Sequence, residues 1–157
     1  MEEQEQGREI KLLADGMLGR LARWLRILGY DTAYDPALTD LELVRRARAE
    51  GRVLLTRDRQ LAARRGVSSL LVESEQVEAQ LIQVMEALHL SAERSFSRCP
   101  VCNTPLKEVS PQEVQDRVPP YILRTQRVFR RCPHCHRLYW RGSHWEHMNQ
   151  RLKTLLE

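Results

Sequence analysis

The sequence contains no long apolar run and few aromatic residues. No window approaches the ~18 consecutive apolar residues that cross a bilayer, which excludes a membrane span. The first residues, MEEQEQGREIK, are polar and acidic and do not have the apolar segment of a secretory signal. Of the 157 residues, 6% are aromatic, 42% hydrophobic and 29% charged. These proportions are typical of a globular protein, and we expect a cytoplasmic location.

Lysine is rare, because the chain has 3 lysines and 22 arginines, and the formal net charge is +4. The positive charge is concentrated towards the C-terminus. Residues 96–157 carry 11 basic and 5 acidic side chains, whereas residues 1–95 carry 14 basic and 16 acidic ones. A basic C-terminal part favours a polyanionic partner such as nucleic acid.

Cysteine is also rare, and its four copies form the pairs Cys99/Cys102 and Cys132/Cys135. Each CxxC pair supplies two thiolates at a tight turn, and four thiolates complete a closed tetrahedral metal site. In a reducing compartment this pattern favours zinc over disulfides, with redox chemistry as the alternative. We predict a structural Zn²⁺ whose binding supplies much of the folding free energy of a small domain.

The first part of the chain alternates short apolar strands with helices. Apolar runs typical of buried strands occur at IKLLA (10–14), 32–34, RVLLT (52–56) and SSLLVE (68–73). This alternation predicts an α/β fold, with a small parallel sheet covered by helices on both faces. Near Ser95 the pattern changes to cysteine knuckles, a proline-rich middle and short β-rich segments. We therefore predict an α/β domain over residues 1–94 and a zinc ribbon with a C-terminal helix over residues 95–157.

Acidic residues follow the predicted strands, at the positions where parallel α/β sheets bind ligands. Asp15 and Asp58 come after the first and third strands. Asp40 begins a predicted helix, and Asp35 precedes it. Clustered carboxylates are stable together mainly when a hard cation such as Mg²⁺ or Mn²⁺ holds them, so we predict a metal site that activates water for attack on a phosphodiester. The alternative is that these acids only cap helices, and Asp35 is equally a turn residue because Pro36 follows it.

Arginine and aromatic side chains in two regions are candidates for nucleic-acid contacts, since cations bind phosphates and rings stack on unpaired bases. In the first predicted helix Arg20, Arg23 and Arg26 form either a phosphate-binding ridge or a solvated face. In the ribbon the candidates are Arg127, Arg130, Arg131, Tyr139 and Trp140. Aromatic residues in short ribbon strands are also candidates for core packing, so both interpretations stay open.

Five motifs occur in order along residues 10–152: LADGMLGRLARWLRILGYDT, LLTRDRQLA, SRCPVCNTPL, DRVPPY and RCPHCHRLYWRGSHWEHM. Together they resemble the bacterial and archaeal Mut-seven C-terminal RNase domain family. The resemblance implies a PIN-like nuclease fold with an appended zinc ribbon and metal-dependent ribonuclease activity. It matches Asp15, Asp40 and Asp58 to the family's acids. One departure is Gln60, where many PIN-like nucleases have a further acid, and Asp35 is a reserve candidate for that ligand.

The sequence supports two main functional hypotheses. In the first, a carboxylate-bound Mg²⁺ or Mn²⁺ hydrolyses RNA, and the basic ribbon binds single-stranded or structured RNA. In the second, the chain is a non-catalytic RNA-binding module, associated with tRNA or the ribosome, and the glutamine at position 60 favours this alternative. A protein-interaction adaptor is a third hypothesis, which the positive charge disfavours.

Overall fold

The structure is a computed structural model that describes residues 9–156, apart from the side chains of residues 144, 155 and 156. Four parallel strands form the first sheet. The strands are β1 (Lys11–Ala14), β2 (Asp31–Tyr34), β3 (Arg52–Thr56) and β4 (Ser69–Leu71). They lie in the order β2-β1-β3-β4, so β1 and β3 are central. Leu12, Leu13 and Ala14 of β1 are fully buried, as expected of a strand with both faces covered.

Helices cover the two faces of this sheet. They are α1 (Gly19–Ile27), α2 (Asp40–Glu50), α3 (Arg59–Ala62) and α4 (Val77–Ala87). Because alternate residues of a strand face opposite sides, Leu12 packs with the leucines of α1 and α4, whereas Leu13 packs with those of α2 and α3. The predicted α/β architecture is confirmed.

Local signals at the helix ends explain where the helices begin and end. The Thr39 hydroxyl accepts a hydrogen bond from the backbone N–H of Glu42 at 3.2 Å and caps α2. Gly51 ends α2 with a φ of 66°, and Gly29 follows α1 with a φ of 96°. A Cβ atom at Gly29 would lie 2.2 Å from the backbone oxygen of Arg94, so only glycine allows the later chain to approach α1 this closely.

The second sheet is antiparallel and contains β5 (Lys107–Val109), β6 (Phe129–Arg131) and β7 (Leu138–Tyr139) in sequential order. Two short helices connect β5 to β6, α5 (Pro111–Val114) and α6 (Pro120–Thr125), and the sequence analysis did not identify them. The core here is small, with Phe129 as its one fully buried aromatic side chain among the described residues.

The last helix, α7 (Ser143–Leu156), returns to the first sheet. Its Met148 and Leu152 are buried in the same core as α1 and α4, and Arg151 forms an ion pair with Glu78 of α4 at 2.8 Å. The C-terminal helix therefore stabilises the first sheet as well as following the ribbon. Across the described residues, no helix combines the length and the apolar character that a membrane crossing requires.

Candidate functional site

The four cysteine sulfurs form a compact group. All four lie within 4.8 Å of one another, and Cys99 Sγ is 3.7 Å from Cys135 Sγ. Four thiolates around one zinc ion, with Zn–S distances of about 2.3 Å, lie about 3.8 Å apart. The cysteines can therefore hold a metal ion such as zinc, and the second sheet with this group is consistent with a zinc ribbon. No other group of three or more metal-ligating side chains comes this close in the described part of the chain.

The two knuckles have the same local geometry. The backbone N–H of Cys102 donates to Cys99 Sγ, and that of Cys135 donates to Cys132 Sγ, both at 3.4 Å. The next residue of each knuckle has a positive φ, 63° at Asn103 and 64° at His136. These N–H groups favour thiolate sulfur, which is the form that binds a metal.

Tyr139 belongs to the surroundings of the cysteine group. Its hydroxyl lies 3.1 Å from Cys99 Sγ, and burial together with this hydrogen bond raises the pKa of the Tyr139 hydroxyl. Burial, a hydrogen bond with Cys135 and the negative charge of Cys99 raise the pKa of the Cys102 thiol to about 12. A bound cation would remove the cost of placing several thiolates together.

The first knuckle is docked on the edge of the first sheet through a buried arginine. Arg26 is only 9% exposed, and its Nε donates to the Thr32 backbone oxygen at 2.8 Å. Its NH1 donates to the backbone oxygens of Pro100 and Val101 at 3.0 and 3.2 Å. Both interpretations of Arg26 from the sequence were wrong, because this guanidinium is neither solvated nor available to phosphate.

Asn103 and Asp31 complete this contact. The Asn103 side-chain oxygen accepts from the Thr32 backbone N–H at 3.0 Å, which satisfies a donor of the edge strand β2. Asp31 Oδ1 accepts from Asn103 Nδ2 at 2.7 Å and from Arg52 NH1 at 2.8 Å. Partial burial opposes ionisation of Asp31, but the hydrogen bonds from Arg52 and Asn103 hold its pKa below the usual value.

The other candidate site lies at the carboxyl edge of the first sheet. Asp15 follows β1, and its Oδ2 accepts a hydrogen bond from the Thr56 hydroxyl at 2.7 Å. The same hydroxyl accepts from the backbone N–H of Asp58 at 3.0 Å. Thr56 is fully buried and connects the two strand-end acids, although it was not among the predicted site residues. The only available signal was a threonine ending an otherwise apolar strand.

Each of these two acids also has a capping role. Asp58 Oδ1 accepts from the backbone N–H groups of Gln60 and Leu61 at 2.9 and 3.3 Å and caps α3. Asp15 Oδ1 accepts a longer hydrogen bond, 3.4 Å, from the Met17 backbone in the 3₁₀ turn before α1. A carboxylate has about four acceptor positions, so capping leaves capacity for another ligand.

The remaining two acids have different environments. Asp40 is exposed in the first turn of α2, and its carboxylate makes no hydrogen bond or ion pair within residues 9–156. Asp35 Oδ1 accepts from the Ala37 backbone at 3.0 Å, as a turn residue does. Among the described residues, the carboxylate oxygens of Asp15, Asp40 and Asp58 do not form a group in which all lie within 4.8 Å of one another, as the cysteine sulfurs do.

An arginine also lies at this edge of the first sheet. Arg57 separates Thr56 from Asp58, and its NH2 donates to the Glu73 backbone oxygen at 3.4 Å. Its Nε is buried and has no hydrogen-bond partner among the described residues. One cation after a strand gives no local signal in the sequence, so this arginine was not among the predicted site residues.

The candidate RNA-contacting residues differ in exposure. Arg20, Arg23 and Arg127 are exposed, whereas Arg131 is half-buried in β6. The NH1 group of Arg130 donates to the backbone oxygen of Phe96, and the Arg130 guanidinium lies 5.5 Å from the Phe96 ring centroid.

Trp140 packs edge-to-face on Phe129, with ring centroids 6.1 Å apart. Trp140 therefore packs in the core of the second sheet, and Tyr139 contacts the cysteine group.

Comparison with known proteins gives one match. A family model described as the Mut7-C RNAse domain matches residues 10–152, which include both sheets, the four cysteines and the strand-end aspartates. No curated protein and no solved structure matches the chain significantly. An RNase-domain family indicates a nuclease-related function, with RNA as substrate or partner. Because the match covers nearly the whole chain and confirms the resemblance seen in its motifs, this protein belongs to the Mut7-C RNase domain family.

Proposed function

We propose that the protein is a metal-dependent ribonuclease whose reaction centre is the carboxyl edge of the first sheet. The observation that carries this proposal is the hydrogen-bonded chain from Asp15 Oδ2 through the Thr56 hydroxyl to the Asp58 backbone, with distances of 2.7 and 3.0 Å. It fixes two acids at the ends of adjacent central strands, where parallel α/β sheets bind ligands.

The donor set fits Mg²⁺ or Mn²⁺. Asp58 caps α3 through Oδ1 alone, Asp15 Oδ1 makes only a 3.4 Å contact, and Asp40 has no partner among the described residues. Mg²⁺ commonly binds one or two carboxylates and keeps several waters, so the three acids need not share one compact ligand shell. A bound ion of this kind supplies Lewis-acid stabilisation and an activated water.

The chain's own residues hold and orient the RNA. Arg20 and Arg23 are exposed in α1, where guanidinium groups bind phosphate oxygens in a bidentate manner. Thr56 orients the Asp15 carboxylate. Asp40 lies at the N-terminus of α2, where the helix dipole favours a negative charge.

We also propose that the cysteine group binds a structural zinc ion. Cys99, Cys102, Cys132 and Cys135 leave no open coordination position for a substrate. The ribbon then contributes basic surface to RNA binding, and the hydrolytic chemistry belongs to the aspartates.

The test is cleavage of a mixed-sequence single-stranded RNA and of a folded tRNA by zinc-loaded protein, with Mg²⁺, with Mn²⁺ and without either ion. Asp15→Asn and Asp58→Asn keep an acceptor oxygen for the Thr56 hydroxyl and for the α3 cap. Because they remove the charge and exchange one carboxylate oxygen for an N–H donor at nearly the same volume, we expect each to lower the cleavage rate at least about 100-fold without loss of fold.

The matched control is Asp116→Asn, an exposed acid of the ribbon, which should cleave RNA at the unchanged rate. Wild-type rates in both Asp15→Asn and Asp58→Asn would refute the proposal, as would cleavage that needs no divalent ion.

A second candidate function is RNA binding without catalysis. The separation of the three carboxylates and the glutamine at position 60 favour it. It predicts binding that weakens steeply with salt, and no turnover with either divalent ion in the same assay.

A further inference from the structure

A cavity of about 250 Å³ lies between α1, the first cysteine knuckle and the chain that enters α7. Aromatic and aliphatic side chains form most of its wall, including Ile27, Phe96, Trp140 and Trp145. No residue of this wall belongs to the acidic edge described above. The cavity is a second concave surface, and its walls suit a flat apolar ligand.

Cations surround this aromatic wall. Arg23 and Arg98 line the cavity. The Arg23 guanidinium is exposed and has no hydrogen bond or ion pair with any described residue. The guanidinium of Arg141 lies 6.0 Å from the Phe96 ring centroid and 5.9 Å from that of Trp145, two rings of the cavity wall. The combination is complementary to a planar ring attached to negatively charged groups.

We propose that this cavity binds one unpaired base of the RNA substrate, with Arg23 and Arg141 contacting the flanking phosphates. The proposal rests on RNA being the substrate or partner of the family. Aromatic side chains stack on the face of any base, so the cavity binds an unpaired nucleotide with little sequence preference.

Contacts within the protein hold the aromatic wall of the cavity in place without RNA. Trp140 is supported by Phe129 at 6.1 Å, and Phe96 is 7% exposed, with the guanidinium of Arg130 5.5 Å from its ring centroid. A preformed stacking surface loses little conformational entropy on binding. Base binding therefore needs no rearrangement of the ribbon.

The cavity and the acidic edge are connected along one face of α1. Arg20, Arg23 and Ile27 are three and four residues apart, so their side chains lie on one face. Arg20 is at the end of α1 that follows the Asp15 turn, whereas Ile27 lines the cavity. With a rise of 1.5 Å per residue, Arg20 and Ile27 are about 10 Å apart along the axis. A bound base would therefore set the cleaved bond a few nucleotides away.

A larger residue at Gly142 would fill the cavity without removing a side chain from the core. Gly142 lines the cavity, and a Cβ atom there would meet only Trp140, at 3.7 Å, which is an ordinary contact distance. Gly142→Leu should fold normally and fill the space, whereas Trp140→Ala would also remove core packing. Arg23→Gln tests the phosphate contact. Control variants outside the cavity are Tyr121→Ala, an aromatic residue 59% exposed in α6, and Arg45→Gln, exposed in α2.

The experiment uses single-stranded RNAs of roughly ten nucleotides that carry the fluorescent base 2-aminopurine at successive positions. Binding is measured with zinc-loaded Asp15→Asn protein, so that the RNA stays intact. Because any base can occupy the cavity, we expect 2-aminopurine fluorescence to be quenched on binding, and this quenching to be lost in the Gly142→Leu background. Affinity should fall about 5- to 100-fold with Gly142→Leu, the range of one lost base stack, and should not change in the two controls.

Quenching that persists in the Gly142→Leu background, or Gly142→Leu protein that binds as tightly as the controls, would overturn the proposal. Cleavage by the wild-type sequence separates this outcome from failure of the nuclease proposal. If cleavage requires Asp15 but is unchanged by Gly142→Leu, the nuclease proposal holds and the base-site proposal is wrong. If Gly142→Leu abolishes quenching and the wild-type sequence shows no cleavage, the base-site proposal holds for a protein that only binds RNA.

Discussion

At the scale of single residues, one hydroxyl organises the acidic edge. Thr56 is fully buried and donates to the Asp15 carboxylate while accepting from the Asp58 backbone. A buried polar group is stable only when its hydrogen bonds are made. This hydroxyl uses both its donor and an acceptor position between two strand ends, so it couples the placement of the two acids.

We predict that Thr56→Val, which keeps the shape but removes the hydroxyl, will lower the free energy of unfolding by about 1–3 kcal/mol, because the Asp58 N–H and one Asp15 oxygen lose their partner. RNA cleavage should fall as well, since Asp15 is no longer oriented. Urea unfolding and cleavage rates measure the two effects.

Thr56→Ser is the matched control for that change. It keeps the hydroxyl and removes only a methyl group, so most of the activity should return. Equal cleavage rates for the valine and serine variants would show that the hydroxyl does not position Asp15.

At the scale of structural elements, the two cysteine knuckles have the same backbone and different surroundings. Asn103 and His136 occupy equivalent positions after the second cysteine, with φ values of 63° and 64°. The Asn103 side chain binds Thr32 and Asp31 of β2, whereas His136 is exposed. One knuckle is therefore the attachment of the ribbon to the first sheet, and the other faces solvent.

Replacing each of these residues with glycine separates the effect of the Asn103 side-chain hydrogen bonds from the effect of the positive φ that both turns share. Both substitutions relieve a positive φ, which Asn and His tolerate better than most residues. We predict that Asn103→Gly will be about 2 kcal/mol less stable than His136→Gly, because it loses two hydrogen bonds, one of them to a carboxylate.

Thermal unfolding of zinc-loaded protein gives the difference in stability between the two glycine variants. Hydrogen exchange at the Thr32 amide gives a local measure, and it should accelerate in Asn103→Gly alone. Equal stability and equal exchange in both variants would argue that the knuckle does not hold the sheet edge.

At the scale of the whole molecule, the cysteine group and the first sheet share buried interactions. The guanidinium of Arg26 is satisfied partly by backbone oxygens of the first knuckle. Unfolding of that knuckle would leave a buried charge without its partners, which is costly. Met148 and Leu152 of α7, at the end of the ribbon, are also buried in the core of the first sheet. We therefore expect metal binding at the cysteine group to stabilise the first sheet as well.

We predict one zinc ion per chain by metal analysis and a lower melting temperature when a chelator removes it. Hydrogen-exchange protection should fall first in β5, β6 and β7, and then in β2, where Arg26 and Asn103 lose their partners. Added zinc should restore both regions, because binding to the folded state stabilises it.

The contrary result would be loss of protection in the second sheet alone after zinc removal. It would mean that the first sheet is stable without the knuckle. The two regions would then be energetically independent.

The parts of the fold that follow local rules could be predicted from the sequence. Strands β1 and β3 were identified from short apolar runs. The helices α5 and α6 were missed because a segment rich in proline carries no clear helical period. The burial of Arg26 was missed because the residues that accept its hydrogen bonds include two that are more than 70 positions away in sequence.

The sequence by itself determined the alternation of strands and helices, the four thiols and the acids that follow the strands, because each depends on residue type and near-neighbour spacing. Only the tertiary structure decided which arginine is buried, which knuckle is docked and which hydroxyl joins Asp15 to Asp58. Those contacts join residues that are distant along the chain, and their energies depend on burial, which no local pattern specifies.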